Sequence, residues 1–322
     1  MNADPDTLAV DLSGIPLRNP VLLAAGTAGY TDEMADALDL SRVGGMVTKS
    51  ITAEARAGNE TWRVAEVPGG MLNAIGLANV GAERFRTEHA PRIAPVPATV
   101  FGSIAGHSTE DYLAVARMFD AIDTIPAVEI NVSCPNVEAG AGFGESPDAL
   151  ADLIGAIRPA LTRTRLIAKL PPAHSGDGAS AMIVTLARAA IDAGADALTI
   201  ANTVPAMAID PKTRTPRLAH VTGGLSGPAV HPIIVRLVHL AYQHMAREAG
   251  APIIAAGGVI SWRDAAEFIL AGATAVQMGT ALFADPRAPL RVVKGLDHWV
   301  RAQRAASIMD LVGAVRLPGG SA

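Results

Sequence analysis

Eight short apolar runs alternate with longer amphipathic stretches along the chain, and this alternation restricts the fold more than any other feature. Each run is nearly continuous in apolar residues, as expected for a parallel strand that is buried on both faces. The predicted strands are Pro20–Ala25, Gly45–Thr48, Thr99–Ser103, Ala127–Val132, Leu166–Leu170, Ala197–Ala201, Pro252–Ala255 and Ala275–Met278. The predicted helices are Asp32–Leu40, Thr109–Phe119, Pro147–Leu161, Ala179–Ala193, Pro228–Ala249 and Trp262–Ala271. Eight strand–helix repeats predict an α/β protein with a closed (β/α)8 TIM barrel, and an open doubly wound sheet is the alternative.

The connections after the second, fourth and sixth predicted strands are too long for simple turns. They are Ile51–Asn79, Cys134–Pro147 and Thr203–Gly227. Long ordered loops are usually functional, and these leave the carboxyl ends of strands, where barrel active sites lie. The second loop is rich in glycine, which predicts a lid. The alternating segment Leu8–Leu17 predicts an N-terminal hairpin at the base of the barrel, and residues 1–322 are expected to form a single domain.

The composition argues against several classes of protein. The formal net charge is -5 and no block of like charges occurs, which disfavours nucleic acid and anionic membranes as partners. Neither a basic-then-apolar signal at the N-terminus nor an apolar run of membrane-spanning length is present, so a cytoplasmic enzyme is expected. The one cysteine, Cys134, allows no intramolecular disulfide, and an iron–sulfur cluster normally needs four such ligands. We predict no metal site.

Small or polar residues follow nearly every predicted strand, so they should meet on one rim of the barrel. Gly257-Gly258 and Gly279-Thr280 follow the seventh and eighth strands, which is the recurring phosphate site of this fold. Glycine lets backbone N–H groups approach a phosphate closely. The alternative is that these are ordinary turn glycines.

Two further residues at this rim could carry chemistry. Lys169 ends the fifth strand, where it could stabilise negative charge on a reduced flavin. It could instead form a salt bridge inside the barrel, or act as a Schiff-base lysine. Cys134 follows the fourth strand and opens the glycine-rich loop, which favours a reactive thiol over a small buried apolar residue. A free thiol has a pKa of ~8.5, so some thiolate is available as a base near neutrality.

The segment Asn131-Val132-Ser133-Cys134-Pro135-Asn136 resembles the catalytic loop of class 1 dihydroorotate dehydrogenases. The resemblance covers nearly the whole chain, and the segment from Asn202 to Pro228 is most similar to the B-type, NAD-linked catalytic subunits. The other matching segments are Thr48–Ser50, Pro68–Leu77, Ala168–Pro171, Asn202-Thr203, Ile209–Arg214, Thr222–Pro228, Gly257-Gly258 and Gly279-Thr280.

This resemblance implies FMN-dependent oxidation of (S)-dihydroorotate to orotate in pyrimidine (UMP) biosynthesis. Cys134 would be the base that removes a proton from carbon 5, while hydride leaves carbon 6 for flavin N5. The implied substrate-binding residues are Lys49, Asn73, Ala74, Ile75, Gly76, Leu77, Asn131, Asn202 and Thr203. The implied cofactor-binding residues are Ala25, Lys49, Ser50, Ser103, Asn131, Lys169, Ala201, Gly227, Gly257, Gly258, Gly279 and Thr280.

Some positions depart from the family pattern, namely Ala25, Ser103, His231 and the pair Ala255-Ala256. They leave open a related FMN barrel that acts on another dihydropyrimidine or a similar ring. A non-redox barrel that binds a phosphorylated substrate, such as an aldolase using Lys49 or Lys169, is a third alternative, and a non-catalytic binding protein is a fourth.

The chain has no strand–Gly-x-Gly-x-x-Gly–helix dinucleotide motif, so electrons bound for NAD would have to leave through another polypeptide. The resemblance implies an electron-transfer subunit that carries FAD and a [2Fe-2S] cluster, together with a homodimer of this chain.

Overall fold

The structure, a computed structural model, describes residues 7–132 and 142–318. Sixteen strands occur in these ranges: β1 (Val10–Asp11), β2 (Pro16–Leu17), β3 (Val21–Leu23), β4 (Gly45–Val47), β5 (Val64–Val67), β6 (Gly70–Asn73), β7 (Thr99–Ile104), β8 (Ala127–Asn131), β9 (Arg165–Leu170), β10 (Ala197–Ile200), β11 (Val204–Met207), β12 (Ile209–Asp210), β13 (Thr215–Pro216), β14 (Thr222–Ser226), β15 (Ile253–Ala256) and β16 (Ala275–Met278).

Eight of these strands form a closed parallel barrel in the order β3-β4-β7-β8-β9-β10-β15-β16, and β16 pairs with β3. All eight lie within or overlap the apolar runs that predict them, so the barrel is confirmed and the open sheet is wrong. The barrel residues are almost all buried, because helices cover the outer face and side chains fill the interior. The register places Asn131 opposite Lys169 and Gln277 opposite Leu22.

Nine α-helical segments lie around the barrel within the described ranges. They are α1 (Ala82–Arg84), α2 (Thr109–Asp120), α3 (Pro147–Ile157), α4 (Met182–Asp192), α5 (His231–Ala241), α6 (Arg247–Ala249), α7 (Trp262–Ala271), α8 (Ala281–Ala284) and α9 (Ala288–Ala302). A serine caps the start of α2, α3 and α7. The hydroxyls of Ser108 at α2 and Ser146 at α3 each accept a backbone N–H. At α7, Ser261 forms a capping box with Asp264. None of these helices combines the length and apolarity needed to cross a membrane.

The predicted helix Asp32–Leu40 is wrong. The segment forms a series of turns and then a short 3-10 helix, Leu40–Arg42. The Glu33 carboxylate accepts the backbone N–H groups of Tyr30 and Thr31, and the amides of Ala35 and Ala37 bond three residues back. Local side-chain bonds of this kind compete with the helical pattern.

Other helix boundaries differ from the prediction for local reasons. Helix α3 ends at Ile157, because Pro159 lacks the N–H that an α-helix needs, and a 3-10 turn continues to Ala160. The predicted helix Pro228–Ala249 is divided into a 3-10 turn, α5, a π-helix over Tyr242–Ala246 and α6. Three further helical segments were not predicted from the sequence: the segment around α1, with its π-helix Phe85–His89, and the helices α8 and α9.

The N-terminal hairpin forms as predicted, with β1 antiparallel to β2. Its turn lies against the amino ends of the barrel strands, because the Ser13 hydroxyl donates to the Asp196 carbonyl at 2.6 Å. Leu12 and Leu17 are buried beneath it. The hairpin therefore covers the end of the barrel opposite to the rim of polar residues.

The long loops after β4 and β10 build one structure at the other end. Strands β5 and β6 come from the first loop and β11 and β14 from the second, and they form an antiparallel sheet in the order β11-β14-β6-β5. The central pair aligns Leu72 with Leu225 and Asn73 with Gly224. We call this the loop sheet, and it lies over the carboxyl ends of the barrel strands.

Candidate active site

A cavity of about 280 Å³ opens at the carboxyl ends of the barrel strands, between the strand ends and the loop sheet. Most of the predicted site residues that the structure describes line it: Ala25, Lys49, Ser50, Asn73, Ile75, Leu77, Asn131, Lys169, Ala201, Asn202, Thr203, Gly227, Gly257, Gly258, Gly279 and Thr280. Residues from nearly every strand end therefore converge on one concave site, as in barrel enzymes generally.

Three predicted residues lie outside this cavity. Ala74 and Gly76 line an adjoining pocket of about 400 Å³, which shares Asn73, Ile75, Leu77 and Thr203 with the first. Ser103 is fully buried, and its hydroxyl lies 2.8 Å from the Ser50 hydroxyl. Ser103 therefore supports Ser50 from below and does not face the cavity.

Cys134 lies outside the described residues, as do its neighbours from Ser133 to Ala141. Asn131 and Val132 directly precede this segment at the end of β8, and Asn131 lines the cavity. Beyond the segment, Gly144 donates its backbone N–H to the Val132 carbonyl at 3.2 Å. The two flanks of the glycine-rich loop are thus held together beside the cavity.

The glycine turns leave backbone donors beside the cavity. In the part of the chain that the structure describes, the N–H groups of Gly258, Gly279 and Thr280 have no hydrogen-bond acceptor, although all three residues line the cavity. A Cβ added at Gly258 would lie 2.7 Å from the Gly227 carbonyl oxygen. The φ of Gly258 is +72°, a conformation that favours glycine. Free N–H groups in closely packed glycine turns suit a phosphate, so these residues fit a flavin mononucleotide.

Lys169 lies at the floor of the cavity in a buried polar cluster. Its Nζ lies 3.2 Å from the Glu129 carboxylate and 3.1 Å from Gln277 Oε1. The second Glu129 oxygen accepts bonds from Thr199 at 2.7 Å and from Gln277 at 2.6 Å. Buried charges are normally paired and hydrogen-bonded in this way. The salt bridge that the sequence left as an alternative for Lys169 is therefore present.

Glu129, Thr199 and Gln277 were not among the site residues predicted from the sequence. Each is a polar residue inside an apolar barrel strand, and all are buried. A buried polar residue needs a partner, so these interruptions were a usable signal. The sequence could not show that the three side chains meet at Lys169, because they come from different strands.

Lys49 lies in contrasting surroundings at the mouth of the cavity. Burial lowers the pKa of the Lys49 ammonium, and the nearby Arg63 guanidinium lowers that pKa further. Within the described ranges neither side chain has an acidic partner, and Nε of Arg63 is buried without an acceptor. Two neighbouring cations without a counter-ion favour the binding of an anion.

Amide side chains line the cavity next to Lys49. Asn202 donates from Nδ2 to Asn131 Oδ1 at 2.9 Å, and its own Oδ1 accepts the Thr203 N–H at 2.8 Å. Asn73 donates to the Gly224 carbonyl at 3.3 Å, which joins it to the loop sheet. Leu77 has a φ of +56°, a strained conformation that is concentrated at functional sites. The site thus offers several amide groups held in place by one another.

Comparisons with known proteins agree with this arrangement. The family model described as dihydroorotate dehydrogenase matches residues 7–300. The chain belongs to the dihydroorotate dehydrogenase family. It is therefore an enzyme of a flavin-dependent oxidoreductase family, as the resemblance predicted.

Several curated relatives carry the name dihydroorotate dehydrogenase B (NAD(+)), catalytic subunit. The relative from Geotalea daltonii is 43% identical over 316 residues, which cover 98% of this chain and 100% of the relative. The relative from Pelobacter propionicus is 45% identical and covers 97% of this chain and 99% of its own length. The relative from Bacteroides thetaiotaomicron is 39% identical, with coverage of 96% and 99%. The similarity to B-type catalytic subunits thus extends along nearly the whole chain.

Proposed function

We propose that this dihydroorotate dehydrogenase family member oxidises (S)-dihydroorotate to orotate in pyrimidine biosynthesis, as an FMN-dependent catalytic subunit of the B type. One observation carries the proposal: most of the described residues that the family resemblance implies line a single cavity, in a chain that matches B-type relatives along nearly its whole length.

The chemistry of the cavity supports FMN as the cofactor. The N–H groups of Gly258, Gly279 and Thr280 would hold the phosphate, and Gly227 and Gly257 would allow its close approach. Lys169 would offset negative charge at the pyrimidine edge of the ring, with Ala25, Ser50, Asn131 and Ala201 also lining the ring site. Bound FMN would supply the acceptor for the hydride that leaves carbon 6 of the substrate.

The polar groups near Lys49 support a substrate with both a carboxylate and amide edges. Lys49 would pair with the carboxylate, because it is a partly buried cation without an acidic partner among the described residues. Asn73, Asn131, Asn202 and Thr203 would bind the ring N–H and C=O groups, since an asparagine amide both donates and accepts. The backbone from Ala74 to Leu77 would close the other side.

We assign the proton transfer to Cys134. Its thiolate would take the proton from carbon 5, and the electron pair of that C–H bond would form the new double bond to carbon 6. A Schiff-base role for Lys169 is disfavoured, because its amine is engaged by Glu129 and Gln277 and a protonated amine is not a nucleophile.

The names of the relatives support an electron-transfer partner. A catalytic subunit of an NAD(+) enzyme implies a second subunit, and this chain carries no dinucleotide motif of its own. We propose that the partner carries FAD and a [2Fe-2S] cluster and that two copies of this chain form the core of the complex.

The first experiment is a visible spectrum of the purified chain before and after dihydroorotate is added without oxygen. We expect a flavin spectrum that bleaches as the substrate is consumed. A flavin that stays oxidised would contradict dihydroorotate as the substrate. A colourless protein that cannot be reconstituted with FMN would contradict the cofactor.

Replacing Cys134 tests the assignment of the base. In Cys134→Ser, we expect flavin reduction by dihydroorotate to slow by about 10²–10⁴-fold near neutrality, because a serine hydroxyl is a far weaker acid than a thiol. The rate should rise with pH, while FMN binding stays unchanged. Anaerobic stopped-flow spectroscopy measures both, and a variant with the full wild-type rate at neutral pH would refute the assignment.

A further inference from the structure

His231 lies directly behind the glycine turn that lines the phosphate end of the cavity. It is the first residue of α5, and its imidazole is buried edge-to-face against Phe268, with ring centroids 4.6 Å apart. Nδ1 lies 3.0 Å from the Gly257 carbonyl oxygen, and Nε2 lies 3.2 Å from a carboxylate oxygen of Glu267. Both ring nitrogens therefore face hydrogen-bond acceptors.

The contact with Gly257 controls the direction of a donor in the cavity. The carbonyl of Gly257 and the N–H of Gly258 belong to one peptide unit, and in a planar trans peptide the two groups point in opposite directions. A ring that holds the carbonyl thus holds the Gly258 N–H pointing away from His231. Both glycines have positive φ, +155° and +72°, so this peptide has few intrinsic restraints of its own.

His231 packs against the glycine turn and can therefore fix the orientation of this peptide. A Cβ at Gly258 would lie 2.8 Å from the His231 Cβ and 2.7 Å from the Gly227 carbonyl. The turn is therefore in close contact with the start of α5 and with Gly227, which also lines the cavity. The imidazole is the side chain that donates to this peptide among the described residues.

The two ring nitrogens have different partners. Glu267, from α7, is the acidic group in contact with the ring in the described structure. A neutral imidazole carries one N–H, and donation of that N–H to the Gly257 carbonyl is enough to hold the peptide.

We propose that His231 positions the Gly257–Gly258 peptide for the phosphate of the flavin nucleotide by donating from Nδ1 to the Gly257 carbonyl. The inference rests on the proposed function for its cofactor. The contact with the phosphate itself belongs to the backbone, so His231 acts as a positioning residue.

The test measures FMN binding to the full-length chain after its flavin has been removed, by quenching of flavin fluorescence. Two variants separate the hydrogen-bond donor from the imidazole ring. In His231→Asn, the side-chain amide occupies the place of Nδ1 and can donate to the Gly257 carbonyl, whereas His231→Leu has no donor. Riboflavin, which lacks the phosphate, is the control ligand, and thermal unfolding of each variant checks that it folds.

His231→Leu should bind FMN about tenfold more weakly than the wild type, which is the loss of about one hydrogen bond, whereas His231→Asn should keep an affinity close to that of the wild type. Riboflavin affinity should not distinguish the three proteins.

Unchanged FMN affinity in His231→Leu, a loss in His231→Asn as large as that in His231→Leu, or an equal loss of riboflavin affinity in His231→Leu would overturn the proposal. A wild-type chain that binds neither FMN nor riboflavin would instead overturn the proposed cofactor, so the two failures differ.

Discussion

Lys49 and Lys169 line the same cavity, but their surroundings give them different properties. Lys169 is paired with Glu129 and held by Gln277, so its charge is compensated before any ligand binds. Lys49 has no such partner in the described part of the chain, and the pKa of its ammonium is lowered by burial and by Arg63. Lys169 is therefore held in place by the barrel, whereas Lys49 is available to an anionic ligand.

The substitution Lys49→Gln should weaken the binding of orotate at least about tenfold, because a hydrogen bond to a charged group contributes about 1.5–3 kcal/mol. Since the pKa of Lys49 is lowered, wild-type affinity should begin to fall at a pH below the ordinary range for lysine. That alkaline decrease should be absent in the variant. Titration of the flavin spectrum with orotate measures both effects.

The matched control is Lys294→Gln, which removes the same charge from an exposed position on α9. Its orotate affinity should equal that of the wild type across the same pH range. Similar losses in the two variants would mean that only the overall charge of the protein matters.

Glu129 is fully buried and has three partners, so its charge is important for stability. Glu129→Gln should lower the free energy of unfolding by about 3–5 kcal/mol, because it leaves the Lys169 ammonium buried without its counter-ion. Urea denaturation measures the change, and Glu248→Gln, on the exposed surface of α6, should change it by less than about 0.5 kcal/mol. Adding Lys169→Met to Glu129→Gln should restore part of the loss. A cost below about 1 kcal/mol would contradict the electrostatic account.

At the scale of elements, the loop sheet links cavity-lining residues that are distant in the chain. Asn73 on β6 and Gly224 on β14 are hydrogen-bonded although they are 151 positions apart. Thr203 precedes β11 and packs closely against Gly224. A Cβ added at Gly224 would lie 1.9 Å from the Thr203 hydroxyl oxygen. The loop sheet therefore holds Asn73 and Thr203 in a common position.

Gly224→Ala should displace Thr203 and the Gly224 carbonyl, so we expect orotate affinity to fall at least about tenfold while far-ultraviolet circular dichroism stays unchanged. The control is Gly155→Ala on α3, where a Cβ would have no neighbour within 4 Å. That change should stabilise the protein by about 0.5–1 kcal/mol, because alanine favours the helix. Unaltered orotate affinity in Gly224→Ala would show that the loop sheet does not hold the site.

At the scale of the whole molecule, the barrel has the N-terminal hairpin at one end and the candidate active site at the other. The N-terminal hairpin closes one end, while the glycine turns, the buried Lys169 cluster and the loop sheet converge at the other. Residues at the ends of nearly all the barrel strands line the cavity, and none of the described elements carries the whole site. This arrangement is typical of barrel enzymes, where loops vary on a constant scaffold.

The purified chain alone should pass electrons from dihydroorotate to a dye acceptor and should not reduce NAD⁺, because it carries no dinucleotide motif. Absorbance at the NADH band, measured with substrate and NAD⁺ in excess, tests this. Addition of a purified electron-transfer subunit should restore NAD⁺ reduction. NADH formation by the chain alone would contradict the proposed division of labour.

The sequence by itself determined the barrel and the identity of most cavity residues. Burial on both faces is a property of each strand, so eight apolar runs such as Ala127–Val132 could be recognised locally. The ends of those runs also marked Lys49, Asn202 and Gly258, since parallel strands end at a common rim.

Only the tertiary structure decided which of these residues interact. Strand β6 pairs with β14, although the two lie far apart in the chain. Lys169 likewise binds Glu129 and Gln277, and His231 contacts Gly257 and Glu267, across large distances in sequence. Hydrogen bonds between distant segments depend on how the elements are placed in space, and propensity and periodicity act only over neighbouring residues.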